Sequence, residues 1–190
     1  MKKLIPLCLL SVSVSAVEIS GNVGYATEYH YRGILQNSES FSAGIDLDAG
    51  GLNMGIWTAD VGDGAEVDVY SSYTWEVGDL AVSAGMTGYY YTGDFDETYE
   101  EVNLGLDYKF LSVEHSMGTW EGEEGMDYDF TAITTNYNDF YATYGIFGKE
   151  FSGDYVEVGY GRTFKGVDMG VAYITTDGSD SFIATLGRVF

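Results

Sequence analysis

The side chains that could carry out chemistry in this chain are mostly carboxylates. Its 190 residues include 30 Asp and Glu but only 8 Lys and Arg, 2 His and 1 Cys, which gives a formal net charge of −22 at pH 7. That charge opposes nucleic-acid binding, because phosphate backbones attract cationic surfaces. The single cysteine, Cys8, offers no disulfide and no Cys/His cluster for a metal. The sequence therefore predicts no cofactor, no metal site and no nucleic-acid partner.

A hydrolytic centre would need a nucleophile beside a base, and the chain has only two histidines, His30 and His115. In an extended chain His115 points away from both Ser112 and Ser116, since alternate residues share a face. His30 has no nearby serine on its own face. We therefore expect no enzyme activity. The alternative of an outer-membrane lipid hydrolase predicts that changing either histidine to alanine abolishes activity.

Two acidic segments, residues 94–97 and 121–129, could bind Ca²⁺ through carboxylate oxygens. Their spacing matches no dedicated calcium loop. We favour the other interpretations, which are solvated loop charge and bridging of divalent ions to lipopolysaccharide.

The first residues are typical of a secretory signal. Met1-Lys2-Lys3 is basic, residues 4–14 are apolar, and residues 14–16 provide a small-residue cleavage site. Cys8 lies inside the apolar run, so we do not expect lipid attachment there. We predict a signal peptide over residues 1–16 and one domain over residues 17–190. Beyond residue 16 no run of about 18 apolar residues occurs, which excludes an α-helical membrane protein.

The elements that must position the carboxylates are strands, because apolar residues alternate instead of recurring every three or four positions. Residues 41–49, 80–86 and 102–108 show this alternation, which is typical of a strand with one apolar face. Turn signals rich in Gly, Asp and Asn divide the chain into about twelve strands. Tight turns such as Gly50-Gly51 alternate with longer acidic loops, as in bacterial outer-membrane barrels. We predict an all-β, antiparallel transmembrane β-barrel.

If the apolar face of each strand, formed by alternate residues, is turned toward lipid, nearly every strand carboxylate faces the lumen. A register shift of one residue would put carboxylates into hydrocarbon at a cost of several kcal/mol each. The predicted lumen-lining residues are Asp46, Asp48, Glu66, Asp68, Glu101, Asp107, Glu114, Asp129, Glu157 and Asp168. Arg32 is the only basic residue predicted to reach the lumen, at an outer mouth that it shares with Glu28 and His30 on the first strand.

So many carboxylates around one arginine predict a hydrated lumen, because a dry interior would leave most of them unpaired. A barrel of about twelve strands is wide enough to hold water, and an acidic wall concentrates cations. The alternative is an acidity shared by all exported proteins of the source organism. It would leave the barrel intact and remove the cation preference.

Aromatic residues near strand ends on the lipid-facing parity predict girdles at the two membrane interfaces. They include Tyr25, Tyr29, Tyr31, Tyr128 and Phe130. A surface that stacks sugars or bases is the alternative. The terminal Phe190 follows an alternating strand and resembles the recognition signal of outer-membrane proteins. The expected partners are therefore the barrel-assembly machinery, outer-membrane lipid and lipopolysaccharide, and small solutes or cations.

Residues 29–36, Tyr-His-Tyr-Arg-Gly-Ile-Leu-Gln, resemble the Tyr-x-x-Arg-Gly-[Ile/Val]-x-Gln signature of the proteobacterial Gcw_chp family, also called TorF-type porins. Residues 55–57 and 65–70 are similar to the Gly-x-Trp of that family and its acidic, Tyr-ended strand, and residues 89–101 resemble the next block. The resemblance is best over residues 20–110. It implies an outer-membrane barrel with a porin role, no established substrate and no catalytic residues.

The function that we expect is a passive channel in the outer membrane of a Gram-negative bacterium. Small hydrophilic solutes, with cations preferred, would pass through water in the lumen and past Glu28, His30 and Arg32 at its mouth. The alternative is a structural or surface-interaction barrel whose lumen is plugged by folded-in loops. Such a barrel would conduct nothing in a planar bilayer.

Overall fold

In a computed structural model, which describes residues 16–122 and 125–190, the chain is an all-β closed barrel of twelve antiparallel strands. The barrel strands are β1 (Glu18–Ala26), β4 (Ser40–Ala49), β5 (Leu52–Asp60), β6 (Ala65–Val77), β7 (Leu80–Tyr91), β8 (Tyr99–Tyr108), β9 (Leu111–Trp120), β10 (Met126–Tyr137), β11 (Phe140–Lys149), β12 (Asp154–Phe164), β13 (Val167–Thr176) and β14 (Asp180–Val189). A separate hairpin of β2 (Tyr29–Tyr31) and β3 (Ile34–Asn37) lies between β1 and β4 in the chain. The predicted barrel is confirmed.

The barrel closes because β1 pairs with both β4 and β14. Backbone hydrogen bonds of 2.9 Å in each direction between Gly21 and Phe190 complete this seam. No helix in the described residues is long and apolar enough to span a bilayer. The predicted signal peptide lies, except for Ala16, outside the described residues and stays a prediction.

One rim of the barrel, here called the short-turn rim, is built from five two-residue turns. Each turn begins with a residue of positive φ: Gly50 (59°), Gly78 (65°), Lys109 (56°), Asn138 (53°) and Lys165 (52°). Tight hairpin turns use this conformation because its twist matches that of the flanking strands.

The opposite rim, here called the long-loop rim, carries the longer connections. They comprise residues 61–64, 92–98, 121–125, 150–153 and 177–179, together with the segment that contains β2 and β3. The alternation of tight turns and longer loops is the one predicted from the sequence. Residues 123 and 124 of the acidic 121–129 segment lie outside the described residues.

The strands separate their side chains by parity into an apolar outer surface and a largely polar interior. Outside, Ile45, Met86 and Phe182 are 63 %, 64 % and 79 % exposed. Inside, among the described residues, the side chains of Phe130, Ile174, Glu66 and Ser116 are almost completely buried. Buried polar groups such as the last two require hydrogen-bond partners in the interior.

The first strand is shorter than the sequence pattern predicts. β1 ends at Ala26, and the chain then turns inward. Residues 29–37, predicted as the end of this strand and a rim loop, form the β2–β3 hairpin. Its side chains contact β6, β8 and β9, and its tip contacts β12, so the hairpin lies inside the barrel. Tyr29 and Tyr31 are therefore interior residues, and their predicted place in a lipid-facing girdle is wrong.

Candidate functional site

The β2–β3 hairpin crosses the lumen and turns back at Arg32-Gly33. Both residues have positive φ, 48° and 85°, which is the pattern of a two-residue type I′ turn. A Cβ atom on Gly33 would lie 2.8 Å from Cβ of Tyr155 on β12. The backbone of the tip therefore touches the wall, and the turn directs the Arg32 side chain to strands far from β1.

Arg32 forms a bidentate ion pair with Glu101 of β8. Nη1 donates to Oε2 at 2.8 Å, and Nη2 donates to Oε1 at 2.9 Å. Nη2 also lies 2.9 Å from Oε1 of Glu114 and from Oγ of Ser116, both on β9. The Arg32 and Glu101 side chains are 8 % and 0 % exposed. Parallel N–H···O bonds of this kind are among the strongest contacts that a carboxylate makes.

Glu101 accepts three further hydrogen bonds from the wall. The donors are Tyr89 Oη at 2.7 Å, Asn103 Nδ2 at 2.7 Å and Tyr128 Oη at 2.9 Å. A buried charge is tolerated when a counter-charge and hydrogen bonds replace its water. Removing Arg32 would leave Glu101 as an uncompensated buried ion, and removing Glu101 would leave Arg32 with only the half-exposed Glu114, so the pair holds the tip against β8 and β9.

Aromatic rings surround the guanidinium group. Arg32 Cζ lies 4.3 Å from the ring centroid of Phe130 and 4.9 Å from that of Tyr31, which is within the range where a ring face attracts a cation. Tyr31 Oη donates to Tyr89 Oη at 2.6 Å, and their ring centroids are 5.3 Å apart. Packing therefore supports the position that the ion pair sets.

The base of the hairpin carries a second polar contact, between His30 and Glu28. Nε2 of His30 lies 2.9 Å from Oε2 of Glu28. Hydrogen bonds from His30 and Ser181 hold the pKa of Glu28 below its ordinary value of 4.5. Tyr29 Oη donates to Oε1 of Glu66 at 2.5 Å and joins the base to β6. The structure thus brings Glu28 and His30 together, whereas Arg32 lies deeper, at the β8–β9 wall.

The other predicted carboxylates are spread along the interior wall. Five of them accept hydrogen bonds from neighbouring side chains: Asp46 from Tyr70 (2.5 Å) and Asn22 (3.2 Å), Asp48 from Asn53 (3.0 Å), Asp107 from Ser112 (2.5 Å), Asp168 from Thr163 (2.5 Å), and Glu157 from Tyr141. Among the described residues, Oδ1 of Asp68 is buried without a partner, and no three His, Cys, Asp or Glu are arranged to hold a metal.

The predicted lumen position of Asp129 is wrong. Its neighbours Tyr128 and Phe130 are only 2 % and 1 % exposed, inside the barrel, and adjacent strand residues point to opposite faces. Asp129 therefore faces outward, opposite Met117 of β9. The same observation corrects the predicted girdle positions of Tyr128 and Phe130, whose side chains pack around the Arg32 site instead.

Three cavities lie around the hairpin in the lumen. One of about 720 Å³ is lined by Glu28 at the long-loop rim and by Asp139 at the short-turn rim. A second, of about 680 Å³, extends from Arg32 to Asp107 near the short-turn rim. A third, of about 80 Å³, is bordered by Arg32 and Phe151 toward the long-loop rim. Tyr31, Arg32 and Tyr89 border both the second and the third cavity, so these residues form the partition between them.

Sequence reasoning missed the residues that complete the Arg32 site. They are Tyr89, Asn103, Tyr128 and Phe130. The Arg-Gly pair was an available turn signal, because two-residue hairpin turns favour glycine at positive φ. The wall partners belong to strands far along the chain, and local spacing carries no sign of them.

Comparison with known proteins agrees with this architecture. Residues 11–189 match the family Gcw_chp, described as a bacterial protein of unknown function. The sequence matches none of the curated proteins. Among solved structures, the KdgM porin aligns with a TM-score of 0.63 and 12 % identity, over 90 % of this chain and 99 % of that one.

Two further solved structures align equally well. The KdgM porin in complex with disordered oligogalacturonate gives a TM-score of 0.64 at 12 % identity, over 90 % of this chain and 99 % of that one. A structure from a study of the in-meso crystallization of membrane proteins gives 0.63 at 8 % identity, over 90 % and 83 %. At such identities the likeness establishes a shared barrel fold.

Proposed function

Because this chain belongs to the Gcw_chp family and folds as a twelve-stranded barrel like that of a porin, we propose that it is a channel in the outer membrane of a Gram-negative bacterium. It would pass small hydrophilic solutes by diffusion and prefer cations. The TorF-type porin label belongs to the same proposal, as does the absence of enzyme activity.

The outer surface of the barrel supports a membrane location. Its exposed side chains are predominantly apolar along the middle of the strands, as expected where lipid replaces water. At the short-turn rim, Lys109 Nζ lies 5.0 Å from the ring centroid of Tyr108, and Lys165 Nζ lies 5.3 Å from that of Phe164. Basic and aromatic side chains together are typical of a membrane interface. Recognition of Phe190 by the assembly machinery and contact with lipopolysaccharide stay predictions.

The observation that carries the channel proposal is the 720 Å³ cavity. Its lining includes Glu28 at the long-loop rim and Asp139 in a turn of the short-turn rim, so it extends over the height of the barrel. The hairpin occupies the side of the lumen next to β8 and β9 and leaves this space beside it. A space of this size would hold about 24 water molecules, since one water occupies about 30 Å³ in the liquid.

The charges around this cavity support the proposed cation preference. Its lining includes four acidic residues, Glu28, Asp139, Glu157 and Asp168, and one arginine, Arg162. Arg32 points to the other side and is neutralised by Glu101. An acidic wall around water raises the local cation concentration and repels anions. We therefore do not extend to this chain the polyanionic oligogalacturonate found with the KdgM porin, and we propose neutral and cationic solutes instead.

A barrel whose lumen is plugged is the second candidate. The anchored hairpin is the observation that favours it. Recording from the purified protein in a planar bilayer across a KCl gradient separates the two. The channel proposal predicts discrete conductance steps and a reversal potential of the sign that K⁺ selectivity gives. A protein that produces no conductance would favour the plugged barrel. A reversal potential of the sign that Cl⁻ selectivity gives would refute the cation preference.

A further inference from the structure

The β2–β3 hairpin is attached to the barrel through side chains. β2 and β3 pair with each other in a sheet of their own. Among the described residues, no backbone–backbone hydrogen bond joins residues 28–39 to a barrel strand. The barrel closes through β1 and β4, which pair from Glu18 and Asp48 to Ala26 and Ser40 without the hairpin. The barrel wall can therefore persist if the hairpin changes position.

The side-chain attachments concentrate at the tip. Arg32 makes four polar contacts of 2.8–2.9 Å with Glu101, Glu114 and Ser116. Tyr29 and Tyr31 contribute one hydrogen bond each, and Asn37 makes two long contacts of 3.4 Å with Asp60. Hydrogen bonds between ionised partners are roughly twice as strong as neutral ones. The Arg32–Glu101 ion pair is thus the main link between the tip and the wall.

We propose that the Arg32–Glu101 ion pair determines both the width and the charge selectivity of the channel. This inference rests on the proposed function. The pair holds the hairpin across the β8–β9 side of the lumen, where the 680 Å³ cavity ends at Arg32 and the 80 Å³ cavity begins. Breaking the pair joins these spaces, and a second water-filled route opens beside the 720 Å³ cavity.

The two partners carry opposite charges, which gives the inference a distinctive signature. Arg32→Ala leaves Glu101 as an additional negative charge in the opened route, so cation preference increases. Glu101→Gln removes one negative charge and leaves Arg32 with Glu114 as its remaining carboxylate partner, so cation preference decreases. Both variants break the same contact and increase conductance. A purely structural role would change the two selectivities in the same direction or not at all.

The experiment records single-channel conductance and reversal potential in a KCl gradient for the wild type, Arg32→Ala and Glu101→Gln. We expect conductance to rise by about twofold in both variants. The route opened through the 680 Å³ cavity would be similar in size to the existing route through the 720 Å³ cavity, and two similar routes side by side carry about twice the ion flow of one. Matched controls are Arg188→Ala and Glu100→Gln, which remove the same groups from exposed exterior positions and should leave both quantities unchanged. Heat-modifiable electrophoretic mobility verifies that each barrel is folded.

A reversible lock gives an independent test. The predicted mature chain lacks cysteine, since Cys8 lies in the leader. Gly33→Cys combined with Tyr155→Cys places two Cβ atoms about as close as the 2.8 Å between the Tyr155 Cβ and the added Gly33 Cβ, near enough for a disulfide after a small shift. In an Arg32→Ala background the oxidised lock should return conductance to the wild-type level, and reduction should restore the increase.

The outcomes separate the inference from the proposed function. If the wild type conducts and neither Arg32→Ala nor Glu101→Gln changes conductance or selectivity, the inference fails and the channel proposal stands. If every folded barrel is silent, both fail. If only the variants conduct, the ion pair is confirmed as the contact that blocks the lumen, and the wild type is the plugged barrel.

Discussion

Replacing Phe130 with alanine tests which face of β10 points into the barrel. The geometry of the Arg32 site depends on this orientation. The ring is 1 % exposed. Its centroid lies 5.0 Å from that of Phe147 and 4.3 Å from Arg32 Cζ. Truncating a buried phenylalanine costs about 3–5 kcal/mol, and a partly desolvated cation–π contact contributes about 1 kcal/mol more. We therefore expect the free energy of unfolding to fall by about 4–6 kcal/mol.

The matched comparison is Phe182→Ala on the outer surface, where the ring is 79 % exposed. That variant loses only the free energy of transferring the ring from water to lipid, about 1.5–3 kcal/mol. No cavity cost is added, because lipid fills the space that the side chain leaves. Guanidinium unfolding in phospholipid vesicles, followed by tryptophan fluorescence, measures both variants. Asp129→Asn should change stability by less than about 0.5 kcal/mol. If Phe130→Ala costs no more than Phe182→Ala, the parity of β10 described above is incorrect.

Three further predictions concern charge, pH and turn geometry. A variant that neutralises three acids lining the 720 Å³ cavity should lose part of its cation preference, and an unchanged reversal potential would contradict the electrostatic reasoning; its substitutions are Glu28→Gln, Glu157→Gln and Asp168→Asn. Because the pKa of Glu28 lies below 4.5, the stabilisation from its contact with His30 is complete above that ordinary value and disappears as the pH falls through the lowered pKa. Carboxyl chemical shifts should follow this titration, and His30→Ala should raise the pKa toward 4.5. Lys109→Gly should raise the free energy of unfolding by about 1 kcal/mol in guanidinium titrations, because it relieves a φ of 56°, whereas Lys109→Val should lower it.

The barrel could be predicted from the sequence because its signals are local. On β4, Phe41 and Ile45 alternate with Asp46 and Asp48, and the structure places the apolar pair outside and the acids inside. The tight turns are equally local, since Gly50-Gly51 can adopt the positive φ that a two-residue turn needs. A pattern of this kind requires no knowledge of which strands become neighbours.

The hairpin could not be predicted in the same way. β2 and β3 have three and four residues, and their alternation continues the parity of β1, so a continuing strand and a strand that folds back look alike. The choice is made by the pairing of Arg32 with Glu101, 69 positions along the chain. The predicted orientation of β10 is wrong for a related reason. Phe130 on one face and Ile133 on the other are both apolar, so the alternation does not show which face points into the barrel.

The position of Arg32 follows from differences in burial among the acids. The Glu101 side chain is 0 % exposed, whereas that of Glu114, which also contacts Arg32, is 49 % exposed. A carboxylate in contact with water keeps most of its hydration and needs only a hydroxyl or amide neighbour, whereas a fully buried carboxyl group that stays ionised needs a counter-charge. Glu101 is buried because the hairpin covers it, and the hairpin is held there because Glu101 binds Arg32. Each partner thus creates the condition that the other requires, so the contact should be made or lost as a unit when either residue is changed.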